Sequence, residues 1–265
     1  MKTTRHVLIL LGAALMFALL ILPPFVLLLR AISTQAWQGL TQYDAVWSAL
    51  GLSFVTSGIT LLLTVLLGTP LAFVLVRWRF PGRRMVSTII ELPIVLPPAV
   101  AGLALLLTFG RRGTLGPLLL ELGITIPFTS LAVIIAQTFV AAPFYIRATQ
   151  IGFAGVPRDY EDAARVDGAS EWGVFWNVTL PISRRALGAG LVLSWARAVG
   201  EFGATILFAG SLQGRTQTMP LLVYSIFERD IDAAIWTGLL LLGMALVALI
   251  FSQGLSQGRD ERVMH

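Results

Sequence analysis

The sequence predicts an all-α protein that crosses a membrane several times. The chain of 265 residues is 56% hydrophobic and only 12% charged, with a mean hydropathy of +0.82, well outside the range of soluble domains. Its apolar residues are gathered into long blocks, most of them near or above the ~17–25 residues that carry a helix through the hydrocarbon core. A spanning segment must also satisfy its own backbone N–H and C=O groups, which favours helices over open sheets.

Six blocks qualify as spans, in a single transmembrane domain covering residues 1–265. The first runs from Val7 to Leu29. Lys2 and Arg5 ahead of it resemble the start of a secretory leader, but the apolar run is long and no clear small-x-small cleavage site follows, so an uncleaved span is expected. The second runs from Leu50 to Val76 and the third from Val86 to Phe109. The fourth, Ser130–Ile146, is the shortest; the fifth covers Ala186–Ala209 and the sixth Ala233–Gln253.

Basic residues orient these spans. With the N-terminus inside, Lys2, Arg5, Arg77, Arg79, Arg83, Arg84, Arg147, Arg158, Arg165, Arg184, Arg185, Arg259 and Arg262 face the cytoplasm, against Arg30, Arg111, Arg112, Arg215 and Arg229 outside. The positive-inside rule selects this orientation, with both termini cytoplasmic. The outer connections 31–49, 110–129 and 210–232 are too long for bare turns, and Trp37, Trp47 and Trp236 near their edges suit interfacial anchors. The net charge of +5 reflects this orientation and not nucleic-acid binding.

Composition also excludes chemistry. No cysteine is present, His6 and His265 are the only histidines, and Lys2 is the only lysine. Thiolate sites, a buried histidine cluster, Schiff-base chemistry and a P-loop lysine are therefore ruled out. No metal site is expected, and of the catalytic chemistries only a carboxylate-based one is left open by composition. If the protein works with ATP, another subunit must bind the nucleotide.

Prolines fall inside several spans. Ordinary kinking accounts for Pro23, Pro24, Pro70 and Pro143. The run E-L-P-I-V-L-P-P (Glu91–Pro98) admits a second reading, a broken helix lining a pathway, because Pro93, Pro97 and Pro98 leave several carbonyls needing new partners. Glu91 lies close enough to the cytoplasmic arginines to snorkel.

The polar segment between the fourth and fifth spans, residues 147–185, carries the sharpest signal. Pro157 suits a helix start, Arg158–Arg165 reads as a short amphipathic helix, and Gly168 is a natural place to end it. From Arg158 to Glu171 the charged residues are Arg158 and Arg165 against Asp159, Glu161, Asp162, Asp167 and Glu171. A solvated loop is the bland account of such a run. The spacing argues otherwise: D-A-A at Asp162, Ala163 and Ala164, three residues, Gly168, nine residues, then V-T-L-P ending at Leu180 and Pro181.

This pattern resembles the cytoplasmic loop of permease subunits of ATP-binding-cassette importers, E-A-A, three residues, G, nine residues, I-x-L-P. Asp162 stands for the glutamate and Val178 for the isoleucine. The resemblance extends along the chain. P-I-V-L-P-P-A-V-A-G-L-A-L-L (Pro93–Leu106), F-G-R-R-G (Phe109–Gly113), A-R-A-V-G-E-F-G-A-T (Ala196–Thr205), F-A-G-S (Phe208–Ser211) and G-R-T-Q-T-M-P-L (Gly214–Leu221) are similar to molybdate permeases, with sulfate and thiosulfate permeases close behind.

The resemblance implies the type I-like importer permease fold in a prokaryotic inner membrane. It implies a homodimer, two ATPase subunits that carry the ATP and magnesium, and an extracytoplasmic molybdate-binding protein. The loop would form a coupling helix docking on the ATPase, with Ala163, Ala164 and Ala169 allowing close approach and Gly168 permitting the turn. The cargo would be molybdate, with tungstate or sulfate as alternatives. A self-contained channel or secondary transporter would need no ATPase, and an intramembrane enzyme would need Glu91 and Glu201 to converge.

On a regular helix, Gly190, Ser194, Arg197, Glu201 and Thr205 share one face about 60° wide. Arg197 lies roughly 18 Å along the axis beyond Arg185, near mid-membrane. An arginine there costs on the order of 2.5–3.5 kcal/mol to insert, so it needs a partner, and Glu201 at i+4 supplies one. The stripe either lines the translocation pathway or forms a structural ion pair at a helix–helix contact.

Overall fold

The structure, a computed structural model, describes residues 2–34 and 44–257, with side chains placed between 6 and 33 and between 44 and 247. Trp37, Arg259, Arg262 and His265 lie outside the described residues, as do the side chains of Lys2 and Arg5. Every regular element among the described residues is helical. In chain order they are α1 (Lys2–Thr34), α2 (Asp44–Arg77), α3 (Arg83–Val95), α4 (Pro98–Phe109), α5 (Gly116–Glu121) and α6 (Ser130–Ala154). The second half holds α7 (Arg158–Val166), α8 (Glu171–Val174), a π-helical turn at Phe175–Thr179, α9 (Leu180–Val199), α10 (Gly203–Phe208), α11 (Met219–Phe227) and α12 (Ile231–Gln257).

Three described helices are long and apolar enough to cross a membrane: His6–Ser33 within α1, all of α2, and α6. A fourth crossing results if α3 and α4 are counted together. The expected third span is not straight. Its halves meet at 116°, because Pro97 and Pro98 supply no N–H to the ladder and force Leu96 and Pro97 into extended backbone, ψ 130° and 135°. The fourth span is longer than expected, 25 residues with Pro143 inside it. The fifth is not one helix. It starts at Leu180, continuing directly from the π turn, and stops at Val199; Gly200–Phe202 interrupt it before α10.

The body is built on α2, α6 and α9. Small residues let α6 and α9 approach closely: a Cβ on Gly190 would lie 2.6 Å from the Cβ of Ala148. Along α2 the buried residues Ser53, Thr56, Ser57, Thr60, Thr64, Gly68, Ala72 and Leu75 recur every three or four positions. This hydroxyl seam is itself adhesive. Ser53 Oγ accepts the Met219 N–H at 2.8 Å, Ser57 Oγ accepts Trp195 Nε1–H at 3.0 Å, and Thr60 Oγ1–H donates to Gln137 Oε1 at 3.2 Å. Each bond ties α2 to a different helix in a place where water cannot substitute.

Three apolar clusters fill the remaining contacts. One joins α4, α6 and α10 around Leu105, Val133, Val140 and Phe208. Another joins α2, α9, α11 and α12 around Val46, Val199, Met219 and Met244. The third lies where α2, α3, α6, α9 and the π turn meet, around Ala72, Ile146 and Phe153. The window of α1 that suits a span is entirely exposed, as expected of a helix facing hydrocarbon.

Candidate functional site

α7 is a short helix held at both ends. Pro157 precedes it with extended backbone, and Asp159 and Glu161 in its first turn complement the helix dipole. At its end Gly168 takes φ +88°; its N–H donates to Arg165 O at 3.0 Å, and Ala169 N–H reaches Ala164 O at 2.9 Å. That pair of bonds is a Schellman motif, which glycine at this position makes possible without steric cost. Ser170 then opens α8, its Oγ accepting the Gly173 N–H.

One residue of α7 faces inward. Glu161 is 4% exposed, and its Oε1 accepts both Arg77 Nη2–H and Thr179 Oγ1–H, each at 2.6 Å. Arg77 ends α2 and Thr179 ends the π turn, so a single carboxylate oxygen clamps α7 to the base of two long helices. Aromatic packing supports the clamp: Phe175 in the π turn meets Phe73 of α2 edge-on at 5.2 Å and Phe153 of α6 at 6.1 Å. A cavity of about 260 Å³ opens beside it, lined among others by Arg77, Arg158, Glu161 and Asp162.

The outward side of α7 is polar and exposed, with Tyr160 and Val166 as its large apolar residues. Arg165 organises this side. Its Nε and Nη2 donate to the two carboxylate oxygens of Glu171 at 2.7 and 3.0 Å, and its Nη1 donates to Asp162 Oδ1 at 2.7 Å. The hydrogen bond from Arg165, reinforced by its charge and opposed by desolvation, holds the Glu171 carboxyl below its ordinary value. The same two carboxylates raise Arg165 further above its already high value, Glu171 foremost.

The second group of sequence-predicted residues divides. Ser194 Oγ–H donates to Ala141 O at 3.0 Å, a contact between α9 and α6. Arg197 and Glu201 form the expected i,i+4 pair at 2.6 Å, with Glu201 buried. Glu201 also accepts the Ala204 N–H at 2.8 Å on Oε1. It therefore caps α10 across the interruption, and the face shared by Gly190, Ser194, Arg197, Glu201 and Thr205 on a continuous helix does not exist as such. The reason is local: the chain leaves helical geometry at Gly200–Phe202, and the carboxylate satisfies one of the free N–H groups in the first turn of the new helix. Thr205 is fully buried in α10.

α10 and α4, the two segments that follow a break, pack against each other. A Cβ on Gly203 would lie 2.5 Å from Pro98 Cβ, and one on Gly102 would lie 2.7 Å from Ala204 O. Pro97 and Pro98 are exposed at the bend, while Pro93 sits within α3 without breaking it. Glu91 pairs with Arg147 at 3.1 Å and is remote in sequence and contact from the Glu201 cluster. The structure thus brings Asp162, Arg165 and Glu171 together, and separately Arg197, Glu201 and α10. Leu180 and Pro181 form the start of α9 and not a loop. Arg77 and Thr179 escaped the sequence reading, since nothing distinguished Arg77 from Arg79 or Thr179 from any other threonine.

Apolar spans, two broken helices and a clamped polar helix are the features expected of a permease subunit of an ATP-binding-cassette importer. The chain belongs to the family of binding-protein-dependent transport system inner membrane components, whose model matches residues 64–263. It is 44% identical over 203 residues to the molybdenum transport system permease protein ModB of Mycobacterium tuberculosis, covering 77% of each chain. It is 38% identical over 218 residues to the sulfate transport system permease protein CysW of Synechococcus elongatus, covering 81% of this chain and 76% of that one. In fold it is similar to a chain of a bacterial ABC transporter involved in the import of alginate, with TM-score 0.79, 19% identity, and 98% and 97% of the two chains covered. The chain is an inner-membrane permease subunit.

Proposed function

We propose that the protein is the membrane subunit of an ATP-driven, binding-protein-dependent molybdate importer that also accepts tungstate. The observation that carries the coupling half of this reading is the clamp on α7. A helix whose inner face is fixed by Glu161 to α2 and the π turn, and whose outer face is free, suits transmission of motion from a docked ATPase into the spans. In this reading α7 with Gly168 and Ala169 is the coupling helix within the 147–185 loop. Two copies of the chain form a homodimer above two ATPase subunits, which hold the ATP and magnesium.

The crossings number six, with α3 and α4 together making the third and α9 with α10 the fifth. Both termini face the cytoplasm. The bend at Pro97–Pro98 and the Arg197–Glu201 cap then flank a route that alternates between outward-facing and inward-facing states. Similarity to ModB over 77% of the chain supports molybdate. Similarity to CysW over a comparable length supports sulfate as the second reading.

Uptake into proteoliposomes containing the permease, its ATPase and its binding protein tests this. Labelled molybdate should accumulate in preference to labelled sulfate, and only with ATP inside the ATPase compartment. Preferred uptake of sulfate refutes the molybdate assignment, and uptake without ATP refutes the coupling role.

A further inference from the structure

Two of the sequence motifs, F-G-R-R-G and G-R-T-Q-T-M-P-L, have no part in the clamp or in the helix breaks. The structure brings them together. Arg111 of the first and Arg215 of the second, 104 positions apart, line one open cavity of about 540 Å³. It lies at the Thr129 end of α6, which extends about 37 Å from there towards α7. The rest of its lining includes Thr125, Thr129 and Phe128, and no carboxylate.

Neither guanidinium has a hydrogen-bond or ion-pair partner among the described residues. Two cations facing one cavity repel each other unless an anion lies between them. Both are nonetheless carried on fixed backbone. Ser130 Oγ–H donates to Arg215 O at 2.8 Å, and Thr216 Oγ1 accepts the Leu212 N–H at 2.9 Å. The loop bearing Arg111 folds tightly enough that a Cβ on Gly116 would lie 2.0 Å from Gly110 O. Thr129 Oγ1 is already engaged with Ile126 O and the Ala132 N–H, which leaves the exposed Thr125 as the available hydroxyl. On the inner side, Phe128 N–H meets Phe208 O at the end of α10, so the cavity wall is continuous with the segment that packs on α4.

We propose that this cavity is a reception site for a free tetrahedral oxyanion, which the forks of Arg111 and Arg215 grip and Thr125 orients before the anion is handed on. Planar guanidinium groups suit tetrahedral oxygens because two parallel N–H bonds can form at once. Exposure at the mouth keeps the grip weak and salt-sensitive, since screening acts within about 8 Å at physiological ionic strength. Weak capture is what a hand-over step needs. The proposal deepens the oxyanion-importer reading and rests on it for the identity of the ligand.

The test is flow dialysis of labelled molybdate and labelled sulfate against the permease–ATPase complex in a phosphate-free maltoside detergent, without binding protein or ATP. The wild-type complex should bind, with affinity falling as salt rises. R111Q/R215Q should weaken binding at least tenfold, and T125V by about threefold, while gel filtration shows the complex assembled. Equal binding by wild type and double variant overturns the proposal. So does arginine-dependent binding of a labelled short-chain phosphatidic acid with no binding of molybdate or sulfate, which would make this a lipid-headgroup site. Loss of binding-protein docking with anion binding unchanged also overturns it, the arginines then holding an acidic protein surface. Arginine-dependent binding in a complex whose vesicles import neither anion would uphold the site and refute the transport reading.

Discussion

Replacing Glu161 by alanine tests the clamp on α7 most directly. The side chains of Arg77 and Glu161 are only 12% and 5% exposed, and their charged atoms lie 2.6 Å apart. Removing one partner of a buried pair leaves the other charge uncompensated, which costs about 3–5 kcal/mol. The partial exposure of Arg77 places the expected value near the lower end, about 3 kcal/mol. Thr179 loses its acceptor as well. At 1.4 kcal/mol per factor of ten, the undocked population of α7 should rise on the order of a hundredfold.

Hydrogen exchange of the α7 amides in the assembled permease–ATPase complex measures that population, and molybdate transported per ATP hydrolysed measures its consequence. Exchange should accelerate on the order of a hundredfold in E161A, and transport per ATP should fall. E161Q, which keeps an acceptor for Thr179, should lie between. R77M/E161L should be less damaging than E161A, because an apolar pair leaves no stranded charge. Exchange within about threefold of wild type in E161A would refute the argument, since that is the behaviour of a solvent-screened surface pair.

Other perturbations have defined outcomes. Gly168→Ala meets no atom within 4 Å but must adopt φ +88°, so it should weaken the end of α7 by about 1–2 kcal/mol and lower ATPase coupling, with Gly168→Asn milder. Gly203→Ala drives a methyl to 2.5 Å from Pro98 Cβ; the overpacking should destabilise the α4–α10 contact by about 1–3 kcal/mol, read as a lower unfolding temperature. At the helix break, Glu201→Gln keeps an acceptor for the Ala204 N–H and loses the charge that pairs with Arg197, whereas Glu201→Ala loses both. Uptake should rank wild type, then E201Q, then E201A, and equal uptake by the two variants would remove the capping role.

Acid should act on the outer side of the loop. Glu171 has a folded-state value below its ordinary 4.5, so its contribution is present above the unfolded value and lost as pH falls through the lowered one. Fluorescence of the neighbouring Trp172 should therefore hold steady from pH 8 to about 5 and change only in the acid range below the carboxylate's ordinary value.

The loop from Pro157 to Ala169 was legible because its signals are local. Proline before a helix, glycine after it and alternating charge act over a few residues, and the structure carries each into a capped helix. The breaks were only half legible. Pro97 and Pro98 announced a bend without its angle, and G-E-F-G gave no sign of interrupting a helix that periodicity extends straight through. The hydroxyl seam along α2 was overlooked because serine and threonine in an apolar span look like tolerated polarity until their partners on other helices are known.

By itself the sequence determined that this chain is helical, lies in a membrane, has no P-loop lysine and carries a loop of the importer-permease pattern. Composition, run length and short spacings suffice for those properties, since each depends on a residue's own solvation or on neighbours within a turn or two. Only the tertiary structure decided that Glu161, not its neighbour Asp162, faces inward to Arg77, that Glu201 caps a second helix, and that Arg111 and Arg215 share a cavity. Those pairings join residues up to 104 positions apart. Their energies depend on burial and distance, which come into existence only when the helices pack.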